Sequence, residues 1–349
     1  VEGSDEDGLI DVVYSVGRDQ HGAGNWFRSK ARIEAETLVF VDDNFPARYS
    51  TSDTGRLRGV YPTGDRFAIL VRKDLSEVLA TPTGDWFEVG LREHLATDLR
   101  EDGKAISLAV AIYVPDGTGP FPLALVHHGS TGSGTNPRDF QRLFSNDWFA
   151  DVLNAHGWIA AFPQRRGRGG SDGLYDEGFS EDRSQGYSTE ARLSLPGAER
   201  ALIDANAALS ALQKRPDVSD DAVLFSGVSR GGVVALLQAG SQPDSTAGVI
   251  NFVGGWTTES PGDPEINPTL FRRVAGFEGT VLSIYGDEDP FYSIPHSKSN
   301  LANMEEMGAN SELHVVSVPG FNRGHWVMWW PPLWEEIVSN YIRRIESLH

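Results

Sequence analysis

From about Thr97 onward the chain alternates short apolar runs with stretches whose apolar positions recur at helical spacing. ISLAVAIYV (Ile106–Val114) and FPLALVH (Phe121–His127) read as buried strands on either side of the turn Pro115-Asp116-Gly117. Asp139–Leu153 reads as a helix, Trp158–Pro163 as a strand, and Gln164–Pro196 as a long polar loop. The alanine-rich stretch Gly197–Lys214 has helical spacing. A strand at Ala222–Phe225, a helix after Arg230 and a strand at Val249–Val253 follow. The pattern closes with strands at Val281–Tyr285 and Leu313–Val318 and helices at Ser297–Met307 and Pro332–Leu348. Apolar strands alternating with helices predict an α/β fold, a mostly parallel sheet with helices on both faces. The opening pair of strands is expected to supply an antiparallel edge.

Residues 1–95 differ. They are polar and rich in turn residues, with plausible strands at Thr37–Val41 and Phe67–Val71. A small β-rich N-terminal appendage packed on a catalytic domain at 96–349 is the expected division.

Composition narrows the chemistry. The 349 residues contain no cysteine, which excludes disulfides, thiolate metal sites and a cysteine nucleophile. A formal net charge of −19 argues against nucleic acid and anionic membrane surfaces as partners. No apolar run reaches the length of a membrane-spanning helix. The opening at Val1 without an apolar leader fits a mature secreted or periplasmic protein, and equally a trimmed chain.

Two stretches match Gly-x-Ser-x-Gly: GVSRG around Ser229 and GGSDG around Ser171. A nucleophile elbow needs a strand before the serine and a helix after it. Ser229 has both, with Gly227 and Gly231 flanking it; Ser171 has loop on either side. Ser229 is therefore the candidate nucleophile. Serine also needs a base and a group to orient that base. Of the later histidines, His314 lies within a strand, His296 at a helix start and His349 at the chain end. His325 follows the last strand in the glycine-bearing loop PGFNRGH and is the candidate base. Asp287 and Asp289, in the GDEDP loop after a strand, compete as its partner.

GVSRGG (227–232), GDEDP (286–290), GH (324–325) and HHGS (127–130), each at a strand end, resemble the α/β-hydrolase superfamily over roughly Thr97–His349. The resemblance is to serine esterases and peptidases of the dienelactone-hydrolase-like or prolyl-oligopeptidase-like type, whose Gly-x-x-Asp-Pro pattern places the acid at Asp289. The His-Gly loop implies an oxyanion hole of the backbone N–H groups of Ser130 and Arg230. The chain departs from these relatives in having no cysteine, in lacking room for a propeller domain, and in carrying Arg230, where the Xaa-Pro-dipeptidyl-peptidase and cocaine-esterase group usually has tyrosine.

The expectation is thus a serine hydrolase cleaving carboxylic esters, without cofactor or metal, on a small-molecule ester or peptide substrate. A serine peptidase and a non-catalytic member of the fold remain as alternatives. Trp256 and Trp326 are candidate pocket residues; Trp329 and Trp330 fit core packing as well. Arg165, Arg166 and Arg168 are read as partners of nearby acids before ligands of an acidic substrate.

Overall fold

The computed structural model describes residues 3–4, 8–16, 25–41, 48–51, 57–60, 67–70, 91–260 and 262–347. The expected strand end Val71 and the terminal His349 lie outside them. The chain divides into two compact units, Val1–Val89 and Gly90–His349.

In the first unit, seven strands (Gly3–Ser4, Ile10–Val16, Asn25–Glu34, Thr37–Phe40, Arg48–Thr51, Leu57–Val60 and Phe67–Leu70) pair in chain order to form one sheet. Neighbours are antiparallel throughout. Val12, Ala31, Leu38, Phe40 and Tyr49 form its described core. Alternating apolar positions such as IDVVYSV make such strands, although only two of the seven are evident from the sequence.

The second unit is built on eight strands: β1 (Leu91–Glu101), β2 (Lys104–Tyr113), β3 (Leu123–His127), β4 (Ile159–Pro163), β5 (Val223–Val228), β6 (Thr246–Phe252), β7 (Thr280–Gly286) and β8 (Asn310–Val316). Their order across the sheet is β8-β7-β6-β5-β3-β4-β2-β1. Pairing is parallel from β8 to β4, while β2 runs antiparallel to both β4 and β1. The antiparallel edge is therefore the hairpin β1–β2, and β3 sits in the centre of the sheet. The sequence obscures this because β1 (LREHLATDLRE) is an exposed edge strand with few apolar residues.

The longer helices are α1 (Asp147–Ala155), α2 (Ala191–Leu212), α3 (Arg230–Ser241), α4 (Ile294–Glu305) and α5 (Glu335–Glu346), with shorter ones at Pro137–Phe140 and Ile266–Phe271. Helices α3 and α5 lie on opposite faces of β6: a Cβ on Gly248 would meet Tyr341, whereas Asn251 reaches Gly232. Residues 248 and 251 point to opposite sides of a strand. With both faces covered, β3, β4 and β5 are buried along their whole length. Among the described residues, no helix is long and apolar enough to cross a membrane.

Two helices depart most from the sequence reading, while α4 and α5 differ by three residues at their starts. Expected helix 139–153 is broken into Pro137–Phe140 and α1. Asn146 restarts it by accepting from Phe149 N, while Gln164 bonds both backbone groups of Phe144. Helix α2 begins at Ala191, six residues before the expected start, and contains Pro196. The proline removes one helical bond, and burial of Ser194, Gly197 and Ala198 offsets that loss.

Candidate active site

Strand β5 delivers Ser229 to the amino end of α3 with φ 56° and ψ −123°. A left-handed backbone at a residue with a Cβ is strained, of order 1–3 kcal/mol, and persists only where its surroundings force it. Here the glycines permit the approach. A Cβ at Gly227 would lie 2.2 Å from Gly231 O, and one at Gly231 would lie 2.1 Å from His127 O. The Ser229 carbonyl accepts from Gly232 N and Gly255 N. It points along the helix, so the Arg230 N–H across the trans peptide points out of the helix end. Ser171 sits in a different setting: its hydroxyl donates to Gln164 O and accepts from Ala109 N, tying the Gly-rich loop to β2.

His325 follows β8 in a short 3-10 turn, Gly324–Trp329. Gly324 lets this turn press against the loop after β7, since a Cβ there would be 2.1 Å from Asp287 O. The two loops bring His325 Nδ1 to 2.8 Å from Asp289 Oδ2. The other carboxylate oxygen, Oδ1, accepts from Phe291 N (2.8 Å) and Tyr292 N (3.1 Å). With its side chain fully buried, Asp289 fixes the proton of neutral His325 on Nδ1 and leaves Nε2 as an acceptor. Asp287 instead accepts from Ser317 Oγ, and Glu288 faces Asn322 N.

Ser229, His325, Ser130, Arg230, Trp256 and Trp326 all line one cavity of about 810 Å³, and Asp289 lies behind His325. Trp329 lines it as well and is 37% exposed, whereas Trp330 packs on the core. The wall also holds Tyr292, Phe291 and Tyr187, which sequence reasoning does not single out, and Arg168, read from the sequence as a partner of nearby acids before a substrate ligand. Tyr292 interacts with the Ser229 side chain, and burial pushes its phenol up to about 12. Its ring stacks on His296, whose Nε2 is approached by the amides of Asn267 and Asn300.

The segment from Gln164 to Glu190 is polar but turned inward. Arg165 pairs with Glu177 and Arg166 with Asp204, as their acidic surroundings suggest. Arg168 is buried yet has no carboxylate partner among the described residues. Arg230 lies between the rings of Tyr187 and Trp256, 3.8 and 4.7 Å from their centroids, and donates to Trp256 O and Glu177 O. Its side chain thereby joins this inward segment to the loop after β6.

His127 ends β3 and His128 follows it, both fully buried. Burial and then Arg165 hold His127 down at about 3, and burial with Arg165 and Arg168 holds His128 well below the usual histidine range. Both imidazoles stay neutral in the folded chain, while the unfolded chain protonates them below about pH 6.5. Stability therefore falls as pH falls, by about 2 kcal/mol at pH 5 for His127 alone, with His128 acting in the same direction. Thermal melts at pH 7 and 5 should show this loss, and it should shrink in His127→Gln. A pH difference untouched by that substitution contradicts the assignment. Among the described residues, no group of three or more His, Asp or Glu side chains is placed to hold a metal ion.

Comparison with known proteins follows the same outline. Residues 134–323 match the model of the dienelactone hydrolase family, a span that contains Ser229 and Asp289 and ends two residues before His325. NocK of Nocardia uniformis subsp. tsuyamanensis, which carries an esterase designation, is 32% identical over 170 residues, 48% of this chain and 40% of NocK. This chain thus spans well under half of that relative's length. Among solved structures, the esterase Pf2001 of Pyrococcus furiosus superposes with a TM-score of 0.50 at 13% identity, covering 73% of this chain and 90% of its own. A second crystal form of the same enzyme gives 0.50 at 12% identity over 79% and 96%. At such identities the likeness is one of fold, an α/β-hydrolase sheet. With the family model spanning more than half of its length, the chain belongs to the dienelactone hydrolase family.

Proposed function

We propose that the protein is a serine hydrolase that cleaves carboxylic esters through an acyl-enzyme. One observation carries this reading: a buried Asp289–His325 pair shares a cavity with a serine held at φ 56° on a strand-to-helix turn. Family membership and the esterase designation of NocK support the same reaction class.

In this mechanism His325 Nε2 takes the Ser229 proton as Oγ attacks the ester carbonyl. The carbonyl oxygen becomes an oxyanion and receives the N–H groups of Ser130 and Arg230. Collapse breaks the bond to the leaving alcohol, which takes the proton from His325. Water then repeats the sequence on the acyl-enzyme, giving the carboxylic acid and free Ser229. Asp289 keeps the imidazole in the required tautomer and stabilises its positive form. The phenol of Tyr292, pushed up to about 12 by burial, stays neutral near pH 7 and places no negative charge beside the attacking oxygen.

A fluorophosphonate probe is expected to label one serine, mapped to Ser229, with parallel loss of nitrophenyl-ester hydrolysis. Hydrolysis should not fall off between neutral pH and pH 10, because Tyr292 remains protonated there. Labelling at another serine, or no labelling of folded protein, would overturn the proposal. Activity on aminoacyl-anilides above that on esters would make the enzyme a peptidase with the same nucleophile.

A further inference from the structure

We infer that Arg168 is a positioning residue that sets the Ser130 N–H toward the reacting oxygen and places uncompensated positive charge behind it. The inference rests on the ester-hydrolase reading and goes past it, to what organises the oxyanion hole.

The peptide between Gly129 and Ser130 is trans. In a trans peptide the carbonyl of one residue and the N–H of the next point in opposite directions. Arg168 Nη1 donates to Gly129 O at 2.6 Å, and Arg165 Nη2 donates to His128 O at 3.0 Å. Both carbonyls that precede the donor are thus drawn toward the arginines. The Ser130 N–H must then face away from Arg168. Gly129 itself presses on the nucleophile, since a Cβ there would lie 3.0 Å from both Ser229 Cβ and Val228 O. The following residue is anchored too: Thr131 N donates to Tyr187 OH at 3.1 Å. Gly129 O also lies 2.9 Å from His128 Nδ1, so without Arg168 the Gly129–Ser130 peptide keeps only this neutral partner and loses its charged one; a peptide that turned over would bring a carbonyl oxygen toward the developing anion.

The charge balance points the same way. Among the described residues around His128 and Glu177, three buried guanidinium groups (Arg165, Arg168 and Arg230) face one buried carboxylate, Glu177; Asp204, which also acts on Arg165, is paired with Arg166. His128 is neutral and burial keeps the Tyr175 phenol protonated, so neither supplies the missing negative charge. Arg168 Nε is buried without an acceptor, and its Nη1 contacts only neutral groups, His128 Nδ1 and Gly129 O. An unpaired buried cation is costly in the resting protein. A tetrahedral oxyanion one peptide away offsets that cost only while it exists. An interaction stronger in the transition state than in the ground state is what raises kcat.

This also gives the second Gly-x-Ser-x-Gly stretch a role. Gly167 N donates to Asp172 O, Arg168 N to Arg165 O, and Ser171 N to Arg168 O. With the Ser171 hydroxyl tied to Gln164 and Ala109, the loop is a fixed platform for one side chain.

The test compares Arg168→Met and Arg168→Gln with the natural enzyme on nitrophenyl acetate, a neutral ester, so that direct contact with a substrate charge does not enter. The expected result for Met is a kcat loss on the order of 100-fold with KM within about threefold. Affinity for a trifluoromethyl ketone, which forms an anionic hemiketal on serine, should fall by the same factor. Gln keeps a donor without the charge and should lose about tenfold, again in kcat. If the Met variant fails to fold, the Gln variant carries the test. Wild-type kcat in a folded variant, or a loss carried by KM alone, overturns the inference. Slow but complete fluorophosphonate labelling of Ser229 in the variants keeps this test separate from the mechanism: absence of labelling in the natural enzyme would sink the ester-hydrolase reading instead.

Discussion

Ser229→Ala is expected to remove essentially all ester hydrolysis, a loss of roughly 10⁶-fold in kcat, without loss of fold. The size follows from the number of steps that pass through one oxygen. Without Oγ there is no acyl-enzyme, and His325 has no proton to take. The residual rate comes from the oxyanion hole and substrate positioning alone. The fold should be retained because the left-handed turn is imposed by its neighbours: Gly227 packs on Gly231, and Gly231 on His127. Alanine occupies the same backbone, and Ser229 has no helix-capping role to lose. The decisive measurement is kcat on a nitrophenyl ester together with a thermal melt. A folded variant that still hydrolyses the ester at more than a few per cent of the natural rate would move the nucleophile elsewhere.

The elbow is legible in sequence because steric limits leave little choice of residue there. A strand that reverses into a helix within one residue needs glycine at 227 and 231, and the serine between them stands out. His325 is legible for a similar reason, through Gly324 and its place after the last long strand. The aspartate is only half legible. Asp287 and Asp289 are two residues apart in one turn, and the difference lies in which way each side chain leaves it. Tyr187 and Tyr292 carry no local signal at all, and the run of arginines around Arg168 suggests acid partners that Arg168 does not find among the described residues. Their positions at the cavity wall depend on contacts distant in sequence, such as Arg168 with Gly129, 39 residues away, and Tyr187 with Thr131, 56 residues away. The inward turn of the polar stretch Gln164–Pro196 does not show in its sequence, because buried ion pairs and solvated charges look alike in one dimension. Pro196 likewise conceals the start of α2, whose support comes from packing and not from propensity. The edge strand β1 escapes notice because an exposed strand need not be apolar.

Asp289→Asn and Asp287→Asn separate the two acids by a large margin. Asp289→Asn is expected to lower kcat roughly 10⁴-fold with little effect on folding. The two backbone N–H groups of Phe291 and Tyr292 already claim one oxygen of the side chain. Asparagine has a single oxygen, so that oxygen stays on the N–H groups and its NH₂ turns to His325 Nδ1. An NH₂ donor there requires Nδ1 to be the unprotonated nitrogen. The imidazole proton then moves to Nε2, the atom that has to accept from Ser229, and general-base catalysis is blocked by the wrong tautomer. Asp287 is bonded to Ser317 on the exposed side of the turn, so Asp287→Asn should leave kcat within about threefold. Rates on one ester, with fluorophosphonate labelling rates as a second readout, give the comparison. The larger loss at Asp287 would reassign the acid and detach His325 from the role given to it.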